Sequence, residues 1–190
     1  MAILYNIKKV VLTELDPKTG APKVSDGVKA TIETAQKAEL EPVLSEGEED
    51  VLRAPEKILA VVRTDDLIYG YDVKLTDNTF SAEVAGLVAG YKVTKGSSGA
   101  QKDKYATPMM NEGFTGKPFK LDIYVANYSG DAIVDYAKVT LNKCIGKFPT
   151  MSIGDGFYAP EFEIKARENS AAKLPIKEIT FVDEIPADEE

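Results

Sequence analysis

Hydrophobic and polar positions alternate over Ile68–Thr76, where Tyr69, Tyr71, Val73 and Leu75 are separated by polar or small residues. Side chains on a strand point to opposite faces in turn, so this period of two predicts a half-buried strand. After Asp77-Asn78-Thr79 the spacing changes to Phe80, Val84, Leu87 and Val88. That is the apolar stripe of a short amphipathic helix. Asn78 or Thr79 is suited to cap its start and Gly90 to end it.

The same reading along the chain predicts strands over Ala2–Leu15, from Val28 through Ala30 and Ile32, and over Ile58–Val62. Lys117–Asn127, Tyr136–Ile145, Phe157–Ala166 and Ile176–Ile185 follow, with Phe162, Ile164 and Ala166 on one face. Asp16-Pro17-Lys18-Thr19-Gly20, Tyr128-Ser129-Gly130-Asp131 and Gly154-Asp155-Gly156 carry turn chemistry. Glu41–Asp50 is acidic, contains Pro42 and Gly47, and reads as a loop; Arg167–Lys173 reads as a polar connector. Residues 96–117, punctuated by glycine and proline, form the longest irregular stretch, and such loops are commonly functional or disordered. Short strands with frequent turns and one helix predict a mainly β (α+β) sandwich or open barrel, with the helix on its side. The 190 residues read as a single domain, 1–190, with an acidic tail at 186–190.

Composition narrows the partners. The chain is 44% hydrophobic and 28% charged, ordinary for a soluble globular protein, and no stretch approaches a membrane span. Met1–Asn6 lacks the basic and apolar regions of a secretory leader. The single Cys144 cannot close an internal disulfide, fits a reducing cytoplasm, and reads as a core residue. The formal net charge of −8 disfavours a protein that grips nucleic acid by neutralising phosphates.

The search for chemistry returns little. The chain has no histidine, which removes the commonest general base and every histidine-containing triad, and a lone cysteine makes no thiolate cluster. Gly113–Lys117 runs into Pro118 where a phosphate loop needs Ser or Thr, and no segment matches a calcium-binding loop. Paired carboxylates alone can hydrolyse glycosides, so Asp65-Asp66, Asp122 with Asp135, and Glu161 with Glu163 are the candidates. In so acidic a chain these also arise as a solvated sheet face. Tyr69, Tyr71, Tyr124, Tyr128, Tyr136 and Tyr158 suit an interface as well as ordinary strand positions. The expectation is a non-enzymatic chain with no catalytic, cofactor or metal residues.

Two segments carry a resemblance: "YDVKLTDNTFSAEVAGLVAG" (71–90) and "FEIKARENSAAKLPIKEITFVDEIP" (162–186), with "SIGDGFYAPEFEIKAREN" between related strand signals. Over 68–186 the chain resembles the major tail protein, or tail tube subunit, of tailed phages and prophages of Gram-positive bacteria; residues 1–67 add little to the likeness. The resemblance implies two packed antiparallel sheets flanked by one helix. It implies subunits that join side by side into rings of six and stack into a tube in the virion tail, made in the host cytoplasm. The implied partners are further copies of the chain, tape-measure and tail-end proteins, and DNA as unbound cargo, with no membrane. Ala82, Ala85, Gly86 and Ala89 then let the helix pack closely, on the sheet or against a neighbour. Carboxylates at Asp72, Asp122, Glu161 or Glu163 would face the lumen and repel phosphates. Residues 96–117 and the termini would order on stacking. Other open readings are a different β-rich virion or bacterial surface module, and an enzyme working by carboxylates.

Overall fold

The alternating runs become strands that pair antiparallel. A computed structural model describes residues 3–23, 25–55, 57–79, 81–94, 96, 103–109, 116–147 and 159–187. In chain order the elements are β1 (Ile3–Glu14), β2 (Lys29–Ile32), β3 (Ala35–Ser45), β4 (Glu49–Ala54), β5 (Lys57–Arg63), β6 (Leu67–Asp77) and α1 (Ala82–Val88). They continue as β7 (Lys92–Thr94), β8 (Lys104–Ala106), β9 (Phe119–Ser129), β10 (Ala132–Gly146), β11 (Glu161–Ala166) and β12 (Lys177–Val182).

Eight strands form one sheet, ordered β2-β1-β9-β10-β11-β6-β3, with β12 also on β10. The sandwich-like layering comes from this one sheet folding over. Strand β10 pairs along one edge with β9, while its other edge is shared: Tyr136–Leu141 pair with β12, and Cys144–Gly146 pair with β11. Strands β11, β6 and β3 thereby become the second layer, and their inward residues Val73, Leu75, Phe162 and Ile164 join Val10, Leu12, Leu121 and Leu141 in one core. Removing each such side chain from water contributes about 1.5–3 kcal/mol before the entropy cost.

The helix closes one end of this core through Val84, Leu87 and Val88. Ala85 and Ala89 are fully buried, so the small-residue stripe packs within the chain. Gly90, at φ 65°, ends the helix as expected. The cap is Ser81 rather than Asn78 or Thr79. Both of those groups are engaged elsewhere: the Asn78 N–H donates to Asp77 Oδ1, and the Thr79 hydroxyl bonds Asp77 and Thr34. Phe80 and the Ala82 side chain lie outside the described residues, as do Gly154-Asp155-Gly156 and the first residues of the Phe157–Ala166 run.

Two readings change. Glu41–Asp50 is not a loop, because β3 continues to Ser45 and β4 begins at Glu49. Pro42 is tolerated since β3 is an edge strand, where a missing N–H breaks no ladder. Within 96–117, Lys104–Ala106 pairs with Lys92–Thr94, while 97–102 and 110–115 lie outside the described residues.

Helix docking depends on Gly146, where an added Cβ would stand 2.1 Å from the Val88 carbonyl oxygen. Gly146→Ala is expected to cost about 1–3 kcal/mol in urea unfolding by forcing helix and strand apart. Gly130→Ala, at φ 63° with nothing within 4 Å, should lose only the backbone cost of about 1–2 kcal/mol and leave the near-UV spectrum unchanged.

Candidate assembly surfaces

The carboxylates that sequence singles out are dispersed, and most are occupied. Asp122 and Asp135 lie on opposite faces: Asp122 is opposite Thr140 and Asp135 opposite Asn127, five residues apart along each strand. The buried Asp122 accepts the Thr140 hydroxyl at 2.6 Å and stands 2.9 Å from Lys120 Nζ and 3.5 Å from Lys138 Nζ. Asp135 accepts from the Asn127 amide, and Asp66 accepts the Gly47 N–H in the turn beyond β3. Glu161 and Glu163 share a face of β11, opposite Thr76 and Lys74 of β6. Lys147 donates to Glu163 at 3.0 Å, and that bond holds the carboxyl below its ordinary range. A general acid in a carboxylate pair needs the opposite shift, so this geometry does not make Glu163 a proton donor.

Cross-strand pairing explains the pattern. On the outer face of the second layer the rows run Lys37–Thr76–Glu161, Glu39–Lys74–Glu163 and Glu41–Asp72–Lys165. Opposite charges mostly face one another, which stabilises a sheet, and Arg167 adds a contact to Asp72 at 3.9 Å. Glu41 opposite Asp72 is the exception; with Glu46 and Asp66 these line a shallow acidic groove. Of the four carboxylates expected to face a lumen, Asp72, Asp122 and Glu163 therefore have cationic partners. The other face of β1, β9 and β10 carries Lys9, Lys120 and Lys138 around Asp122, and Lys9 Nζ donates to the Pro186 carbonyl at 3.0 Å.

The tyrosines divide. Tyr124 is buried; Tyr128 meets Tyr5 edge-on at 6.3 Å; Lys177 sits 4.4 Å over the Tyr71 ring. Tyr69 is half exposed beneath Arg167, Tyr136 is half-buried on β10, and Tyr158 lies outside the described residues. Cys144 is fully buried and its thiol is pushed well up by burial, the state of an inert core residue. Among the described residues no three His, Cys, Asp or Glu side chains group as metal ligands, and no helix is long and apolar enough to cross a membrane.

The surface that stands out is apolar. Beyond Tyr71, β6 has left β11 and pairs only with β3, through Gly70, Ile68 and Leu67. The ribbon then continues as β4 and β5, which pair only with each other. Register places Leu52, Ala60 and Val62 on one face and Val51, Leu59 and Val61 on the other. Every described side chain of β5 is exposed, with Leu52 at 61% and Val62 at 66%. A two-stranded ribbon with apolar side chains on both faces and no covering layer is marginal by itself. The sequence reading found Ile58–Val62 as a strand without this exposure. A second uncovered patch, Ile179 and Phe181, lies on β12. Compared with models of known protein families and with curated protein sequences, the chain matches none.

Glu14 is the buried charge that sequence reasoning passed over. It ends β1, is nearly inaccessible, and accepts from Lys23 at 2.6 Å, the Val28 N–H at 3.2 Å and Lys117 at 3.3 Å. Burial pushes its carboxyl up, but the Lys23, Val28 and Lys117 interactions outweigh it and hold the group below its usual range. A carboxyl depressed in the folded state contributes stability that is present above its unfolded value and lost as pH falls through the folded one. Urea stability should therefore decline below about pH 4.5, the ordinary value for this group. Glu14→Gln should cost about 1–3 kcal/mol at pH 7 and flatten that decline. Parallel pH curves for the two proteins would exclude Glu14 as the cause.

Proposed function

We propose that this chain is a self-assembling structural subunit of the tail tube type found in tailed phages and prophages of Gram-positive bacteria. The observation that carries this reading is the ribbon of β4 and β5, apolar on both faces and uncovered in a protein of net charge −8. Exposed apolar surface of this kind marks a contact with another macromolecule. The resemblance over residues 68–186 and the layered antiparallel fold with one flanking helix support it. The free edges of β2, β3 and β12 add unpaired backbone groups on which further strands can add. Copies of the chain are the principal partner, with tape-measure and tail-end proteins at the tube's ends and DNA passing without being gripped. No reaction is assigned: the carboxylates serve pairing and charge.

Negative-stain microscopy and sedimentation velocity of the concentrated protein should show rings or short tubes. Replacing Glu49–Arg63 by an Asn-Gly turn should leave a folded protein, with unchanged thermal unfolding of the core, that stays monomeric. Assembly of that variant like the parent, or a parent that is monomeric at every concentration, would overturn the proposal. Rings that never stack, or association with a bacterial envelope protein instead, would favour a different β-rich assembly module.

A further inference from the structure

The two uncovered apolar surfaces belong to different parts of the chain, and their shapes match. The first is the ribbon of β4 and β5, with Leu52 and Val62 on one face and Leu59 and Val61 on the other. The second is the open end of the sandwich. Register places Ile179 opposite Val139 and Phe181 opposite Ala137, so both continue the core-facing side of the sheet. Lys177 on β12 meets Tyr71 on β6, and there the two layers touch. The next inward-facing residues beyond that contact are Ile179 and Phe181 on one wall and Tyr69 and Leu67 on the other. All four are half exposed or more, from 50% at Tyr69 to 69% at Leu67. The chain's own ribbon covers none of them.

Resting on the reading of the chain as a self-assembling subunit, we infer that the β4–β5 ribbon of one copy inserts into the cleft between Tyr69/Leu67 and Ile179/Phe181 of the next. A cleft with two apolar walls accepts a ribbon with two apolar faces, and neither surface has another use within the described chain. Charge agrees. Residues 49–63 hold three acids and three bases in a chain of net charge −8, and Arg53, Lys57 and Arg63 lie on the ribbon. Glu178, Asp183 and Glu184 flank the Ile179/Phe181 wall. The basic ribbon thus approaches the acidic rim of a neighbour, offsetting part of the repulsion between like-charged copies. Because donor and acceptor are distinct surfaces, the contact is head-to-tail and propagates, as a ring or as a continuing stack.

The test uses two double variants at exposed positions: a donor variant, Leu52→Asp with Val62→Asp, and an acceptor variant, Ile179→Asp with Phe181→Asp. Both should keep the parent's circular dichroism and melting temperature. In sedimentation velocity each should weaken self-association about 30-fold or more, the loss expected for central interface anchors. An equimolar mixture should form a complex of two chains and stop, since one sound ribbon and one sound cleft remain between the two variants. An acceptor variant that assembles like the parent, or a mixture that stays monomeric, would overturn the inference and leave the subunit reading intact. A parent that fails to associate would overturn both.

Discussion

One strand has only two edges, and the allocation of the second edge of β10 organises the rest of the molecule. Its fifteen residues are more than one layer uses. The first part of that edge goes to β12 and the last three pairs go to β11. A register shift between Leu141 and Cys144 marks the change, and irregularities of this kind bend a strand and let a sheet turn over. The buried Cys144 fills the bend, and Gly146 leaves room for the helix that closes the core there. The second layer is thus hinged to the first along a short seam near one end. At the other end the layers are free to part, and there β6 outruns β11.

The buried polar groups fit this arrangement. Glu14, with Lys23, Lys117 and the Val28 N–H, fastens the 16–28 connection and the start of β9 to the end of β1. Asn169 donates to the carbonyls of Gly20 and Asn142, holding the 167–174 connector against the same region. Gly20, at φ 69°, has no room for a side chain because Asn169 fills the space. Among the described residues, these buried links gather where the helix and the core are. The overhanging ribbon has only its own ladder. Stability is therefore concentrated at one end of the molecule and uncommitted apolar surface at the other.

That division also sets what the sequence made legible. Where one face of a strand is buried and the other solvated, burial writes a period of two, and β1, β6, β9, β10 and β11 were readable from it. The helix was readable because Val84, Leu87 and Val88 meet one core. The cap was not, since Asp77 and Thr34 reach Asn78 and Thr79 from elsewhere in the fold. Strand β3 was hidden by its acids: Glu39 and Glu41 look like loop residues until Lys74 and Asp72 appear opposite them. The ribbon posed the hardest case. Ile58–Val62 reads as a continuous apolar run, the signature of a strand covered on both faces. A strand covered by neighbouring copies writes the same run as one covered within its own chain, so no local signal separates them. The paired carboxylates misled for a related reason. Spacing of two on a strand puts Glu161 and Glu163 on one face, but their chemistry depends on Lys147, which comes from another strand.

Charge and apolar area then act against each other in a way that suits a subunit made in quantity before it assembles. A net charge of −8 on every copy opposes random encounter, and repulsion between exposed charges fades over about a Debye length, ~8 Å at physiological salt. Contacts that bring acidic faces together remain unfavourable, whereas the near-neutral ribbon can approach at little electrostatic cost. Most carboxylates on the β3–β6–β11 face are matched by lysine or arginine, so the surplus is concentrated in the Glu41, Glu46, Asp66 and Asp72 groove. On the proposed reading, this distribution separates two tasks. The matched rows hold the sheet, the surplus discourages phosphates and wrong encounters, and the apolar ribbon supplies the attraction. None of the three requires a reactive group, which is consistent with a chain that contains no histidine and keeps its one thiol buried.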